Sequence, residues 1–425
     1  MDIEEALSRL GLANSLETIS PGWEESQRLL PAGEIEFLTP EYVRAACAQF
    51  RVGADGADAA VAMARRIAGD AALRAYAWHY HRVLYGCATL DWGRVHHWPA
   101  PEAALGSEAG IFCTVVFLSG LPRMRAEHRA HQVPAEVVRE TLSDVGLGLD
   151  SGQCGMRPDD VQWFAEFLRG ELYRLGRLQF QRGTFGADLR VFRHASSGAV
   201  LALAGHGVRF RRDGQLARKG DADGSWTAAL DISEAGAVGY PILPTGRAMP
   251  QSVSLPATEW QQVLGRSDPA LNIHIPGDWP NGPPMDHDAC GQSISRARAF
   301  FPQHYPHHQF LAFCCWSWVL NTWLGEVLPP TSNMRRFQEE MYLFPTWVDT
   351  QELVQAAFHE LPSDLTQAPR DTTLQRAILE VLQSGRTLEA GGGGCFLLWE
   401  DVRWGKQVYR RQEFPAEVHA ALEIG

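Results

Sequence analysis

The chain has no surplus of positive charge. Its formal net charge is −12 and its pI is about 5.7. Proteins that bind nucleic acids or anionic membranes do so through clustered lysine and arginine side chains. An acidic chain therefore argues against both as the main partner, and we expect no nucleic-acid partner.

Targeting and membrane signals are also missing. The first residues, MDIEEALSRLGL, are acidic and lack the basic stretch and apolar core of a secretory signal. No apolar run approaches the roughly 18 residues of a membrane-spanning helix. The eight cysteines show neither a disulfide-framework spacing nor a Cys-x-x-Cys pair. We therefore expect a chain without a membrane span in the reducing environment of the cytoplasm.

Composition and pattern indicate more than one folded domain. The chain has 425 residues, of which 45% are hydrophobic, and this is enough for two or three hydrophobic cores. Helical periodicity dominates the first part of the chain, and strand-like runs with Gly-containing turns follow from about residue 175. We predict an α+β chain with a loosely docked lead-in at 1–33, a helical domain at 34–170 and a mixed β-sheet domain flanked by helices at 171–425.

Local signals predict individual elements. The run GIFCTVVFLSGLP is too short to reveal its period, and its helical neighbours favour a buried helix. Helices are also predicted at 134–144 and 158–173. In the sheet domain we predict an antiparallel meander at 187–193, 198–203 and 207–212, followed by a short helix in ATEWQQVL. Further along we predict a helix running into a strand in NMRRFQEEMYLFPT and a helix–loop–helix segment at 350–384. A last strand follows the glycine run 391–394, which we interpret as a hinge or a tight approach.

The stretch 270–320 has the pattern strand, loop, helix, strand. ALNIHIP is a short apolar strand, and GDWPNGPP is a loop rich in Gly and Pro. Asp286 is placed to cap the following helix, which we expect to end at Pro302. QFLAFCCWSWVL is typical of a strand buried on both faces. The two strands should be parallel neighbours joined by a right-handed crossover, with a ligand beyond their carboxyl ends.

Several segments resemble a known family. LNIHIP, SRARAFFPQHYP, AFCCWSWVLN and LPPTSNMRRFQ are similar to segments of bacterial acyltransferases whose C-terminal half is a variant of the GNAT (general N-acetyltransferase superfamily) fold. SGLPRMRAEHRAHQVPAEVVRETLSDVG and ELYRLGRLQF resemble the helical domain and the junction that precede it. The resemblance covers about 34–411. It implies an N-acyltransferase with a helical N-terminal domain and a GNAT-like sheet domain, which moves an acyl group from a thioester to an amine.

The resemblance also implies a donor site. In the GNAT fold two central parallel strands splay apart, the pantetheine arm of an acyl-CoA enters the gap, and the pyrophosphate lies on the loop and helix start after the first strand. On this basis we expect Ile275, Pro276, Asp286 and Trp318 to contact the donor, either an acyl-CoA or an acyl carrier protein. The loop IPGDWPNGPPMDHDA departs from the family because it is longer, proline-rich and without Arg or Lys. That departure favours a carrier-protein donor or an unusual CoA pose.

An amine must lose a proton before or during its attack, so a base near the gap is expected. His274 is the best candidate, because strand alternation places it on the face of Asn272 near the ligand end, and its ordinary pKa lies near physiological pH. A hydrogen-bonded core histidine is an equal alternative. Ser317 could bond the thioester or the leaving sulfur, and Asn333 could contact the donor or cap the next helix. The family's proton-donating tyrosine is not matched, because Glu340 falls near its position.

Other interpretations stay open. A non-catalytic GNAT-like module that binds an acyl carrier or a protein partner would explain the unusual loop. A cysteine hydrolase using Cys314 or Cys315 is disfavoured, since both lie mid-strand among apolar residues. Arg174 and Arg177 could pair with carboxylates or bind an anionic substrate. Three histidine clusters lack partners at standard metal-ligand spacing, so we expect no metal: His79/His81, His96/His97 and His304/His307/His308. The acceptor should be a small-molecule or peptide amine.

Overall fold

The computed structural model describes residues 1–149, 155–218, 224–277, 282–346, 350–358, 360–385 and 392–423. The chain divides into two compact units, Met1–Leu175 and Gly176–Gly425. Helices fill the first unit, and a mixed sheet with flanking helices forms the second. The predicted α+β class, with a helical region preceding a sheet domain, is confirmed.

The first unit is built from helices that begin where capping residues predict. The Asp70 side chain accepts hydrogen bonds from the backbone N–H groups of Ala72 and Leu73, at 2.8 and 2.9 Å. It thereby caps the helix Ala71–Tyr85. The elements are α1 (Ile3–Leu10), α2 (Leu16–Ile19), α3 (Trp23–Arg28), α4 (Pro40–Gln49), α5 (Ala54–Gly69), α6 (Ala71–Tyr85), α7 (Trp92–Val95), α8 (Glu102–Leu105), α9 (Ala109–Leu118), α10 (Leu121–Ala130), α11 (Ala135–Leu149), α12 (Pro158–Leu168) and the strand β1 (Leu172–Leu175).

The ambiguous apolar run of the first unit is a helix, as predicted. It forms α9, whose side chains from Phe112 to Leu118 are almost all buried. Together with its helical neighbours it makes a segment, Glu102–Ala130, that is long and apolar enough to cross a membrane by length and composition. The expectation that no segment reaches this length was therefore wrong. In the structure 67% of its most apolar window is buried, as in the core helix of a folded domain.

The lead-in is docked firmly, in contrast to the prediction of a loose segment. Leu7, Leu10 and Ile19 are at most 2% exposed and belong to the core of the first unit. The ring of His79 in α6 holds this segment through Ser26 Oγ and the carbonyl oxygen of Ile19, both at 2.8 Å. Burying these apolar side chains stabilises the unit by roughly 1.5–3 kcal/mol each.

In the second unit the main sheet has the hydrogen-bonded order β2-β12-β13-β15-β14. β12 is antiparallel to β2 and parallel to β13, while β15 is antiparallel to both β13 and β14. This confirms the predicted parallel pair at the centre. The bounds are β2 (Leu178–Thr184), β12 (Pro269–His274), α13 (His287–His304), β13 (Ala312–Ser317), α14 (Thr322–Val327), α15 (Asn333–Glu339), β14 (Tyr342–Thr346) and β15 (Gly392–Leu398).

Smaller sheets fill the interval between β2 and β12. A four-stranded sheet has the order β11-β3-β4-β9, and further strands form a three-stranded and a two-stranded sheet. The bounds are β3 (Leu189–His194), β4 (Val200–Ala204), β5 (Arg209–Phe210), β6 (Trp226–Thr227), β7 (Leu230–Ser233), β8 (Gly236–Gly239), β9 (Pro241–Ile242), β10 (Val253–Pro256) and β11 (Trp260–Gly265). The predicted meander holds for β3 and β4, which are antiparallel, whereas β5 pairs with β6.

Three local predictions were wrong. ATEWQQVL is a turn followed by strand β11, because Trp260 and Leu264 pair with β3 around a bulge rather than lining a helix. Pro302 lies inside α13, which continues two residues beyond it to His304, so the helix does not end at the proline. The helix predicted at 158–173 ends at Leu168, since the residues that follow form β1.

The C-terminal part of the second unit carries additional helices. They are α16 (Thr350–Phe358), α17 (Thr373–Gln383) and α18 (Ala416–Glu423). The predicted helix–loop–helix segment is confirmed by α16 and α17, which pack with α14 in a separate hydrophobic cluster around Leu324 and Ile378. Of the predicted glycine run, Gly393 and Gly394 lie where a Cβ would overlap the Leu320 carbonyl and the Phe344 ring respectively, which supports a tight approach.

Candidate functional site

The central parallel strands part at their carboxyl ends. β12 and β13 pair at three positions, the last being Asn272 opposite Cys314. Beyond this point β12 continues along β2, with His274 opposite Gln179, while β13 continues along β15, with Ser317 opposite Gly393. Each strand thus follows its outer neighbour, and a gap opens between them on the side where parallel sheets bind ligands.

One face of the sheet carries the polar groups that border this gap. The thiol of Cys314 donates to Asn272 Oδ1 at 2.9 Å, so the two side chains share a face. Side chains two positions further along a strand lie on the same face. His274 on β12 and Trp316 on β13 therefore border the gap on that face, one on each side.

His274 is the last residue of β12 and is half-buried. Its Nε2 lies 2.9 Å from Gln181 Oε1, and because an amide oxygen only accepts, the histidine donates there. Burial lowers the pKa of His274 to about 4, so the ring is neutral at physiological pH. In this tautomer Nδ1 is the nitrogen that can take a proton.

Ser317 ends β13 and begins a single 3₁₀ turn. Its Oγ accepts a hydrogen bond from the backbone N–H of Val319 at 3.3 Å. Alternation along β13 places Ser317 on the opposite face from Trp316 and His274. Trp318, in the 3₁₀ turn, is half-buried and packs against the cluster around Leu324. The structure therefore does not bring Ser317 and His274 together on one face.

Asn333 is the first residue of α15 and is half-buried. The residue at the cap position is Ser332, and its side chain makes no capping hydrogen bond. Asn333 therefore does not cap the helix as the sequence suggested. Asn333 stays a candidate for a donor contact.

The predicted donor contacts follow β12 and precede α13. Ile275 and Pro276 are half-buried residues directly after the strand, and the loop residues 278–281 lie outside the described part of the chain. Asp286 caps α13 as predicted, since its Oδ1 accepts from the backbone N–H of Ala289 at 2.8 Å. Its negative charge at the helix start opposes the binding of a pyrophosphate at that point.

Two arginines from outside the loop lie near α13, and one of them, Arg177, was a candidate for binding an anionic substrate. Arg177, 1% exposed, donates from Nε to the carbonyl oxygen of Pro284, at the end of the loop, and its backbone N–H donates to Ser293 Oγ at 2.8 Å. Nη2 of Arg336 in α15 lies 3.1 Å from His287 Nδ1 in the first turn of α13. These contacts bring positive charge to a loop whose own sequence contains none, and only tertiary packing reveals it. Arg174, the other junction arginine, instead pairs with Asp144.

The local sequence also gives no sign of a buried pair formed by His287 and Glu340. His287 and Glu340 are 5% and 4% exposed, and Nε2 of His287 lies 3.2 Å from Glu340 Oε1. Because Arg336 can only donate, Nδ1 of His287 accepts and Nε2 carries the proton donated to Glu340. Glu340 Oε2 also accepts from the backbone N–H groups of Gly405 and Gln407, at 2.9 and 3.3 Å. This network joins α13, α15 and the segment after β15.

The remaining candidates are positioned as core residues. Cys314 and Cys315 are at most 2% exposed, and burial raises the pKa of Cys314 well above its usual range and that of Cys315 to about 12. A thiol with a raised pKa is a poor nucleophile. Among the residues that the structure describes, no group of three or more His, Cys, Asp or Glu side chains is placed to hold a metal ion.

Comparison with known families and structures agrees with this geometry. The N-acyltransferase N-terminal domain matches residues 41–170. No protein of curated function matches the chain in sequence. An acyltransferase crystallised with decanoyl-CoA and teicoplanin superposes with a TM-score of 0.59 at 23% identity, over 94% of this chain and 100% of that one. An acyltransferase crystallised with CoA and 10C-teicoplanin has a TM-score of 0.57 at 23% identity, over 94% of this chain and 100% of that one.

A further acyltransferase structure, with decanoyl-CoA, has a TM-score of 0.57 at 21% identity, over 93% of this chain and 99% of that one. At such identities the similarity concerns the fold. The family match is broader, because the GNAT-like C-terminal domain matches residues 172–395, which is more than half of the chain. The predicted pairing of an N-acyltransferase helical domain with a GNAT-like sheet domain is confirmed, and the protein belongs to the acyltransferase family defined by that GNAT-like C-terminal domain.

Proposed function

We propose that this protein transfers an acyl group from acyl-CoA to an amine held beside His274. The observation that carries the proposal is the parting of β12 and β13 after Asn272 and Cys314, with His274 at its border. A thioester in the gap would present its carbonyl carbon to an amine approaching along the polar face. The C–N bond forms first, the nitrogen then gives a proton to His274, and the C–S bond breaks as CoA leaves as its thiolate.

His274 can serve as the base although its pKa is about 4. A free alkylammonium would not give it a proton, but the amine nitrogen becomes far more acidic once it bonds to the carbonyl carbon. Transfer to Nδ1 at that stage needs only a neutral, oriented imidazole, and the contact with Gln181 provides the orientation. General-base assistance of this kind contributes about 10²–10⁴-fold in rate.

The donor class rests on the family and on the ligands of similar structures. Those acyltransferases hold CoA or acyl-CoA, and teicoplanin or 10C-teicoplanin is the second ligand in two of them. For this chain we propose acyl-CoA as donor and a small-molecule or peptide amine as acceptor. Arg177 and Arg336 would supply the positive charge near α13 that the loop lacks. An acyl carrier protein is the alternative donor. A donor made in the cytoplasm, and cysteines that form no disulfide in the described part of the chain, support a cytoplasmic location.

Calorimetric titration with CoA and acyl-CoAs, followed by mass spectrometry of reactions with an amine panel, tests the proposal. We expect micromolar binding of acyl-CoA and an amide product. His274→Ala should lower kcat by about 10²–10⁴-fold and leave acyl-CoA affinity within a few fold.

His307→Ala is the matched control, since His307 is an exposed histidine in the turn before β13, at the end of that strand opposite the gap. It should keep full activity. Full activity of His274→Ala would remove the base assignment. Binding of neither CoA nor any acyl-CoA would overturn the choice of donor and favour an acyl carrier protein or a non-catalytic module.

A further inference from the structure

A pocket of about 280 Å³ lies beside the gap, within the second unit. Its lining is mostly apolar and includes Trp316 and Phe344 from the main sheet, Phe210 from β5 and Val208 just before that strand. The volume is close to the lower end of about 300–1,000 Å³ typical of small-molecule sites. An apolar pocket of this kind fits an aliphatic or aromatic group.

Trp316 connects this pocket to the gap. It lies two residues beyond Cys314, the last residue of β13 that pairs with β12, and so on the face of His274. Its ring packs on Phe185 and Phe344, with centroid distances of 6.1 and 6.0 Å. Even so, 38% of Trp316 stays exposed. A ligand in the pocket would cover this surface.

The charge at the pocket distinguishes the two ends of a thioester donor. Asp188 is the lining residue that carries a charge, and it is exposed. A carboxylate there repels the phosphates of CoA, whereas an uncharged hydrocarbon tail meets no such penalty. Arg177 and Arg336 lie instead near α13, which follows the other strand of the gap. The charges thus favour the nucleotide at α13 and the hydrocarbon end at Trp316.

We infer that this pocket binds the acyl chain of the donor and that Trp316 and Ala187 set the chain length it accepts. The inference rests on the proposed function, because it takes an acyl thioester as the ligand. With the carbonyl beside His274, the chain passes Trp316 and fills the pocket between Phe344 and Phe210. Each methylene buried in this way should strengthen binding about fourfold until the pocket is full.

The test measures the affinity of CoA and of acyl-CoAs with 4, 8, 12 and 16 carbons by calorimetry, for four proteins. Ala187→Phe adds a ring to the wall of the pocket, and Trp316→Ala removes one from its floor. Leu311→Ala is the matched control, because Leu311 is 39% exposed, like Trp316, but precedes β13 at its opposite end. Thermal melting confirms that each variant is folded.

The wild type and Leu311→Ala should bind longer chains more tightly, by about fourfold per methylene, up to one plateau. Ala187→Phe should reach its plateau at a shorter chain and bind long acyl-CoAs at least tenfold more weakly, while its affinity for CoA itself is retained. Trp316→Ala should move the plateau to longer chains. These two opposite shifts support the inference, and either one suffices if the other variant does not fold.

An affinity for acyl-CoA that does not change with acyl-chain length would overturn the inference and leave the proposed donor intact. Equal chain-length profiles in the wild type and in both pocket variants would do the same. A changed KM for the amine without any change in acyl-CoA affinity would assign the pocket to the acceptor and also overturn it. Failure of every CoA compound to bind would overturn the proposed donor together with the inference.

Discussion

The buried carboxylate of Glu340 offers the most exacting test of the fold around the candidate site. It accepts three hydrogen bonds, from His287 Nε2 and from the backbone N–H groups of Gly405 and Gln407. Glu340→Leu keeps a side chain of similar size and leaves all three donors without an acceptor. Because the network joins α13, α15 and the segment after β15, its loss should loosen all three.

The expected cost follows from the donors that lose their acceptor. A buried donor without an acceptor costs about 1–3 kcal/mol, so three would cost about 3–9 kcal/mol. Gly405 is exposed and Gln407 half-buried, so water can replace part of their loss, whereas His287 is 5% exposed. We therefore expect Glu340→Leu to lower the free energy of unfolding by about 3–5 kcal/mol, out of a total of about 5–15 kcal/mol for a typical domain.

Urea denaturation followed by tryptophan fluorescence measures this change. Trp404 is a local reporter, since its Nε1–H donates to the carbonyl oxygen of His287 at 2.9 Å. Glu339→Gln is the matched control, because the adjacent Glu339 bonds Arg335 and the Gln407 side chain in a half-buried setting where a pair contributes about 0–1 kcal/mol. A loss below about 1 kcal/mol for Glu340→Leu, or an equal loss for Glu339→Gln, would refute the reasoning.

Three further outcomes are expected. Gly393→Ala should lower the free energy of unfolding by about 1–3 kcal/mol or more, because the added Cβ would overlap the Leu320 carbonyl. Gly277→Ala, where the added Cβ meets no atom, should lower it by under about 0.5 kcal/mol in the same denaturation assay. Burial lowers the pKa of His79 from 6.5 to about 4, so the unfolded chain binds more protons between these values and stability falls as pH drops from about 6.5 to 4; His79→Gln should reduce that slope by up to about 1.4 kcal/mol per pH unit. Iodoacetamide should leave Cys314 unmodified in the native protein and alkylate it after unfolding, as read by mass spectrometry; rapid native alkylation that abolishes activity would instead favour a cysteine hydrolase.

The centre of the sheet domain was predictable because its signals are local. Short apolar runs mark the strands β12 and β13, and Asp286 marks the start of α13. Each signal lies within the element that it predicts or next to it. Chain connectivity then leaves few options, since two buried strands joined by a helix pair in parallel. The position of His274 at the end of β12 followed from this pattern and from alternation alone.

Other features depend on contacts that the sequence order conceals. ATEWQQVL has the spacing of a helix, but pairing with β3 about 70 residues earlier overrides that local preference. The buried pair of His287 and Glu340 is separated by 53 positions in the chain, and nothing in either local sequence marks them as partners. Sequence pattern predicts elements, whereas such polar networks form only when the elements have packed.

Asp286 shows how a correct structural prediction can weaken the functional one drawn from it. The same carboxylate that starts α13 through the Ala289 N–H also occupies part of the N–H array that a pyrophosphate would use. Its charge and that of Asp288 in the first turn then oppose an anion at this point. A donor carrying phosphates must therefore be held by positive charge from outside the loop, and Arg177 and Arg336 are the groups that packing brings near it. If CoA is the donor, Arg336→Gln should weaken CoA binding and Asp286→Asn should change it little. Tighter CoA binding by Asp286→Asn, with no effect of Arg336→Gln, would return the phosphates to the helix start.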